Sequence, residues 1–512
     1  MAVPAKNAEA CPGGADHAAG SPADSALFND FYSLTMAQGY WKKNMNQSAV
    51  FEMFFRKNPF GGGYAIFAGL GTLLDRLRSF SFSETDIAYL KGLGFFEEAF
   101  IEYLRNFRFT GALWAMDEGT VVFPQEPLIR VRGGLIECQI IEGMLLNTIN
   151  FQSLIATKTC RVWLASGKGS IMEFGLRRAQ GPDGAMSAAR ASYIGGASGT
   201  SNTLAGKVFD IPVLGTMAHS WVMAFPSEEE AFDAYAEIYP NKTIFLIDTY
   251  DTLKSGVLNA IKAGGRLYAK GKNFGVRLDS GDIHYLSVEV RRLLDEAGLS
   301  KATITVSNDL DESIIQTLVN AGAPVDTWGV GTQMVTGGTE AAFTGVYKLA
   351  AREGPGGLQT PVMKFSDNPE KTTNPGVKQV WRIKDGAGMA VADVLSLDQT
   401  GPIRGGADDG AASEVLEKGR GYAFWHTSAD YRHFHHLIEG GVEPLLKQRL
   451  KDGELCAAAP SLPEIRARRA ADLECFDSSY KRHLNPHVYK VSITEKLREL
   501  KLELIKNYLG DL

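Results

Sequence analysis

From about residue 170 the chain repeats one pattern: a short apolar stretch, a polar junction, then an amphipathic helix. The apolar stretches are SIMEFGLR (170–177), IPVLGT (211–216), TIFLID (243–248), FGVRLD (274–279), TITVSND (303–309) and DTWGVGT (326–332). Helices are expected to begin near Asp183, Ser227, Asp251, His284 and Asp311. Alternation of this kind predicts a parallel sheet wrapped by helices, because parallel strands need crossover connections. The number of units suits a TIM-like barrel, with an open doubly wound sheet as the alternative.

The unit at 275–298, GVRLDSGDIHYLSVEVRRLLDEAG, is the most loaded. Leu286, Val290, Leu293 and Leu294 recur at helical spacing. Immediately before them, Arg277, Asp279, Ser280, Gly281 and Asp282 crowd into six residues. In a parallel α/β fold this strand–helix junction is where ligands bind. The other junctions are polar too. They carry Phe174, Arg177 and Arg178; Thr216 and His219; Asp248; Ser307, Asn308 and Asp309; and Gly331 with Thr332. The strand bodies stay apolar while this rim collects charge, as the active face of a barrel requires.

At 512 residues the chain exceeds what one core supports. Residues 1–24 are Ala/Gly/Pro-rich without an apolar core, which predicts a flexible tail and not a signal peptide. Residues 25–165 read as an N-terminal α/β domain. It has a helix over 28–43, a strand at 48–57, a helix over 65–78 and a capping pair at Ser83 and Asp86. A small antiparallel sheet is expected over 112–133, then an apolar helix over 135–160. The barrel spans 166–345. A C-terminal α/β region, 346–512, is expected to pack on the N-terminal domain, with strands at 362–366, 379–383 and 390–397 and only helices and loops from 435 onward.

A net charge of −6 does not favour nucleic acid as a partner. Five scattered cysteines without a CxxC pair indicate neither a disulfide framework nor a zinc site. With no run of 18 apolar residues, no membrane span is expected, and a cytoplasmic location is the default.

Each rim feature has a plain structural reading beside its chemical one. Gly331-Thr332, with Ser307 and Asn308 on the neighbouring strand end, supplies donors for a phosphate, or forms a tight turn. Asp279 and Asp282 suit Mg²⁺ or ribose hydroxyls, or a helix cap with a salt bridge to Arg277. Arg177 and Arg178, adjacent on a regular strand, would point to opposite faces, one toward an anion and one toward an ion pair. His219 taken alone reads as a structural histidine, and Tyr32 as a core aromatic.

Together the segments resemble the nicotinate phosphoribosyltransferase family. The matching pieces are NDFYSLTMAQGYW (29–41), EFGLRRAQGPDGA (173–185), GTSNTLAG (199–206), PVLGTMAHSWVMAF (212–225), IDTYDT (247–252), VRLDSGD (276–282), VSNDLDE (306–312) and GVGT (329–332), in family order. The resemblance implies a type II phosphoribosyltransferase, with a seven-unit TIM-like barrel, an N-terminal α/β domain and a C-terminal extension. It implies transfer of ribose 5-phosphate from phosphoribosyl pyrophosphate to nicotinate. The products are nicotinate mononucleotide and pyrophosphate, in the first step of NAD salvage from nicotinic acid. It further implies Mg²⁺, ATP as co-substrate in a ligase-type reaction through a phosphohistidine at His219, and a homodimer with shared active sites. In that scheme Tyr32 of a neighbouring subunit and Phe174 sandwich the pyridine ring. Arg177 or Arg178 pairs with a carboxylate or phosphate, and Arg277 with phosphates. Asp279 serves the ribose or metal, Asp282 is a second candidate metal ligand, and Gly331 and Thr332 take the 5′-phosphate. The related nicotinamide enzyme has an aspartate matching Asn202, so Ser201-Asn202 implies a preference for the acid.

Overall fold

The computed structural model describes residues 25–357, 359–368, 371–398, 413–427, 429 and 432–510; the tail expected over 1–24 lies outside the described residues. Strands Gly199–Thr200, Ser170–Glu173, Thr327–Val330, Thr303–Val306, Gly275–Leu278 and Ile244–Leu246 form one six-stranded sheet in that order, all parallel. The IPVLGT stretch adds only a parallel bridge from Val213 to Thr200. Ser170–Glu173 and Thr327–Val330, the first and last of the series, pair with each other. Among the described residues no pairing joins Val213 to Ile244–Leu246, so the ladder is open at that seam. The architecture is thus α/β with a parallel sheet, and a closed barrel is not seen.

The helix expected near Asp183 starts at Gly181 without a side-chain cap, whereas the other four expected helix entries are capped by short polar side chains. Ser227, Asp251, Asp282 and Asp311 each accept backbone N–H bonds at a helix entry, which satisfies donors the first turn leaves orphaned. The helix after Asp282 begins at Ile283, one residue before the expected His284, because Asp282 is the residue that can cap. The inward faces of strands and helices build one core, which includes Ile171, Phe245, Val276, Ile304 and Trp328.

A second core joins chain segments distant in sequence, from Ala26 to Leu497. Its seven-stranded sheet runs Gln359–Pro361, Gly345–Glu353, Ser48–Phe55, Ile129–Gly134, Ala112–Ala115, Lys447–Lys451 and Glu454–Leu455. The strands expected within 112–133 do pair antiparallel, but inside this larger sheet. The 24-residue helix Glu142–Ala165 places Leu145 and Ile155 in the second core and Val162 and Ala165 in the first. Ser83 and Asp86 form the reciprocal capping box. Among the described residues no helix is long and apolar enough to cross a membrane.

Two expectations in the C-terminal part are corrected. The strand expected at 362–366 lies at Gln359–Pro361. Residues from 433 onward are not only helix and loop: His433–Leu437, Val442–Pro444, Lys447–Lys451 and Val491–Thr494 are strands. Lys447–Lys451 pairs with Ala112–Ala115. A short polar strand whose main partner lies so far away has no alternation of its own to read.

One buried network ties these segments. Arg382 is fully buried and pairs bidentately with Asp393, at 3.0 and 2.7 Å. It also reaches Asp472 at 3.0 Å and the Val121 carbonyl at 2.7 Å. Glu126, fully buried beside Asp393, is pushed well above the ordinary carboxylate range by burial and then by the Asp393 charge. The folded state therefore retains a proton that the unfolded chain releases at lower pH. This contribution to stability is complete at acid pH and falls as pH rises above the ordinary glutamate range. Glu126→Gln has no proton to lose. Its melting temperature relative to wild type is expected to climb as pH rises above the ordinary glutamate range; a difference that stays constant with rising pH contradicts the assignment.

Candidate active site

Asp279 is the hub of the polar rim. It follows the strand Gly275–Leu278, and its carboxylate accepts a hydrogen bond from Ser307 Oγ at the end of the next strand. Oδ1 lies 3.9 Å from Arg277 Nη2, and Oδ2 lies 3.7 Å from His219 Nε2. The Asp279 backbone N–H donates to Asp248 Oδ2 at 3.1 Å, and Ser280 Oγ donates to the same oxygen at 2.5 Å. Asp248 Oδ1 is buried with no hydrogen-bond partner.

Arg277 comes from inside the sheet, with only 13% of its side chain exposed. Nη1 donates to Thr216 Oγ1 and, at 3.3 Å, to the Met217 carbonyl. It thereby spans from its strand to the loop that follows Val213. Burial lowers the guanidinium below its ordinary value; Asp279 and Asp248 offset that, and Arg177 adds repulsion. The site is thus cation-rich on one side and anionic on the other.

His219 opens the short helix His219–Met223. Its Nδ1 lies 3.2 Å from Thr249 Oγ1, on the loop after the strand Ile244–Leu246. With Nδ1 anchored there, Nε2 faces Asp279. That loop is braced from below: a Cβ at Gly256 would fall 1.8 Å from the Ile247 carbonyl, so only glycine fits.

The Phe174 ring lies against Gly329, where a Cβ would come within 2.8 Å of it and 3.1 Å of Ser307 Cβ. Gly331 sits where a Cβ would meet the Phe174 carbonyl at 3.3 Å, and Thr332 begins the short helix Thr332–Val335. Asn308 holds φ at +133°, a conformation that costs free energy in a non-glycine residue and clusters at functional sites. Its Oδ1 accepts from the Asp309 N–H at 2.8 Å.

Arg177 and Arg178 are not on a strand. The strand ends at Glu173, and Leu176–Arg178 is a 3₁₀ turn. At about 120° per residue the two arginines diverge without pointing to opposite faces, so the alternation argument does not apply. Both are exposed. Asn202 is buried and caps the helix Thr203–Phe209, with Oδ1 accepting from the Ala205 N–H at 3.1 Å. Ser201, half-buried, precedes it. Asp282 caps its own helix through the Tyr285 N–H, 3.0 Å away. Among the described residues no group of three or more His, Cys, Asp or Glu side chains is arranged to hold a metal ion. Tyr32 lies on the N-terminal helix Phe31–Lys42 rather than on the rim, and the residue is 48% exposed. Its hydroxyl is pushed up to about 12 by partial burial and then by Glu142.

The fold therefore brings His219, Arg277, Asp279, Ser307, Phe174 and Gly331 to one rim. Asp248, Thr216 and Thr249 join them without having been assigned a role from sequence. For Asp248 the strand-end position was the available signal. Glu173 was also missed; an acidic residue closing an apolar strand was its only mark.

The model for the nicotinate phosphoribosyltransferase (NAPRTase) family matches residues 170–386, and the models for that enzyme's N-terminal and C-terminal domains match residues 27–150 and 377–501. The nicotinate phosphoribosyltransferase of Bacillus subtilis is 40% identical over 486 residues, covering 94% of this chain and 95% of that protein. The human nicotinate phosphoribosyltransferase is 33% identical, covering 93% and 95%. The crystal structure of human nicotinic acid phosphoribosyltransferase matches with a TM-score of 0.79 at 31% identity, over 93% of this chain and 99% of that one. The Pyrococcus furiosus nicotinate-nucleotide pyrophosphorylase, at 23% identity and a TM-score of 0.66, shares the fold. The chain belongs to the nicotinate phosphoribosyltransferase family and is an enzyme of that type.

Proposed function

We propose that the rim around Asp279 transfers the phosphoribosyl group of phosphoribosyl pyrophosphate to the ring nitrogen of nicotinate. The reaction releases pyrophosphate and forms nicotinate mononucleotide. The observation that carries this reading is the placement of Asp279 between Arg277, Ser307 and His219 at the C-terminal edge of a parallel sheet. Cleavage of the anomeric bond builds positive charge on the sugar and negative charge on the leaving pyrophosphate. A fixed carboxylate and a fixed guanidinium stabilise these charges with little reorganisation. Phe174 offers one face for the pyridine ring. Arg177 and Arg178 are the cations available to the nicotinate carboxylate or a phosphate, and Ser307, Asn308, Gly331 and Thr332 the donors for phosphate.

Mg²⁺, which this family implies, has suitable oxygen donors in Asp279 and in the partnerless Asp248 Oδ1. Asp282 is already committed to its cap. When bound, the ion would neutralise charge on the pyrophosphate as it departs. The exposed Phe31, Tyr32 and Met36 on one helix favour a homodimer in which Tyr32 completes a neighbour's site. In the same reading the sheet is a seven-stranded barrel with its seam between Val213 and Ile244, and the divisions 25–165, 166–345 and 346–512 are the domains.

His219 is the residue for ATP coupling. Its Nε2 faces the site while Nδ1 is anchored, which suits a nitrogen that accepts a phosphoryl group. Enzyme incubated with γ-labelled ATP is expected to carry an acid-labile label that His219→Ala lacks. The variant should lose ATP hydrolysis yet retain slow phosphoribosyl transfer; undiminished ATPase would sink the phosphohistidine.

Asn202 separates the acid from the amide substrate. Aspartate is an equally good N-cap, so Asn202→Asp keeps the bond from the Ala205 N–H while adding a charge and removing the Nδ2 donor to Met186 Sδ. A carboxylate there repels nicotinate, and kcat/KM for nicotinate is expected to fall by about tenfold or more. Unchanged kinetics would refute the role.

A further inference from the structure

Glu173 closes the strand Ser170–Glu173 and is 1% exposed. A carboxylate at that depth is costly unless something compensates its charge. Elsewhere in this chain buried cations do so: Lys378 for Glu52, Arg190 for Glu118, and Lys158 with Arg161 for Glu312. Among the described residues no cation pairs with Glu173. Its partners are instead two neutral donors, one on the turn that follows its own strand and one closing the neighbouring strand Gly199–Thr200. Oε1 accepts from the Gly175 N–H, and Oε2 accepts from Thr200 Oγ1.

Those two donors lead straight to the substrate-reading side chains. Gly175 joins Phe174 to the turn that carries Arg177 and Arg178. Thr200 Oγ1, while donating to Glu173, accepts from the Asn202 N–H at 2.9 Å. The Glu173 carbonyl also accepts from the Ser201 N–H at 2.9 Å. Phe174 turns its ring toward Gly329 and Ser307, so Glu173, one residue earlier, points to the opposite side of the strand. It stands behind the pocket and not in it. Burial pushes its carboxyl up, and the bonds from Thr200 and Gly175 pull it back.

We propose that Glu173 is a positioning residue for the pyridine pocket. Its two oxygens hold the Phe174–Gly175 turn and the Ser201–Asn202 loop at one fixed separation, so that the aromatic face and the discriminating amide stay in register. The proposal rests on reading the rim as a nicotinate site. A carboxylate is required because both partners are donors. A glutamine in its place presents one acceptor and one NH₂, and must abandon either Gly175 or the present Thr200 bond.

The test uses the full-length enzyme and four variants: Glu173→Gln, Thr200→Val, Thr200→Ser and the Glu173→Gln/Thr200→Val double. Nicotinate affinity is measured by calorimetry, and both KM values by steady-state kinetics. Glu173→Gln and Thr200→Val are each expected to weaken nicotinate binding and raise its KM by roughly tenfold. The KM for phosphoribosyl pyrophosphate should change by less than about twofold, and Thr200→Ser, which keeps the hydroxyl, should behave as wild type. The double variant should be little worse than either single, because both changes break one latch. A purely structural role would move both KM values together; that result, or nicotinate affinity unchanged in Glu173→Gln, overturns the proposal. Should wild type bind nicotinate but make no nucleotide, the transfer reading fails while the affinities still decide the role of Glu173. No nicotinate binding by wild type overturns both.

Discussion

Asp279→Ala is expected to lower kcat/KM for nucleotide formation by about a thousandfold, roughly 4 kcal/mol of transition-state stabilisation. Three dependencies converge on this carboxylate. It accepts from Ser307, it is the nearest anion to Arg277 Nη2 at 3.9 Å, and it faces His219 Nε2 at 3.7 Å. Removing it takes away the anion that opposes sugar charge, frees the Arg277 guanidinium, and releases the histidine ring. The fold should survive, since the side chain is 34% exposed and lies at a strand end. Asp279→Asn separates charge from shape. The amide can still accept from Ser307 but carries no charge, so it should lose nearly as much as alanine. Activity within about tenfold of wild type for the asparagine variant would show that charge at this position contributes little.

Arg382→Ala is the change with the largest expected effect on stability. It leaves Asp393 buried beside Glu126, whose carboxyl burial already pushes up, with Tyr489 as a remaining donor at 3.0 Å. It also removes the guanidinium from the Val121 carbonyl and from Asp472, which keeps the Val121 N–H as a donor at 2.7 Å. Breaking one side of a buried pair costs about 3–5 kcal/mol, and the network here joins the strands Val121–Val122, Lys378–Lys384 and Ala390–Leu397 to the helix Leu462–Glu474. Urea unfolding followed by circular dichroism should register that loss. A change below about 1 kcal/mol would mean that the network is replaceable by solvent. Because the rim lies in the other core, whatever Arg382→Ala protein folds should retain its KM for nicotinate.

The parallel sheet was legible because each unit carries its own punctuation: an apolar strand, a polar end, and a capping Ser or Asp. The rim was legible for the same reason, since strand ends can be read one unit at a time. What escaped was whatever depends on partners from different units. Arg277 bonding Thr216, and Asp248 accepting from Asp279, are tertiary pairings that no local pattern encodes. The turn at Leu176–Arg178 was missed because EFGLRR reads as a continued strand, while the Gly175 N–H turns back to its own neighbour Glu173. The strand Lys447–Lys451 was missed because KQRLK shows no alternation, and its partner lies over three hundred residues earlier.

The central claim is that this rim makes nicotinate mononucleotide. Nucleotide formation from phosphoribosyl pyrophosphate should be measured with nicotinate or nicotinamide, each with and without ATP and Mg²⁺. Product from nicotinate, accelerated by ATP, with little from nicotinamide, is the expected result. Product from nicotinamide alone, or from neither base, would contradict the account.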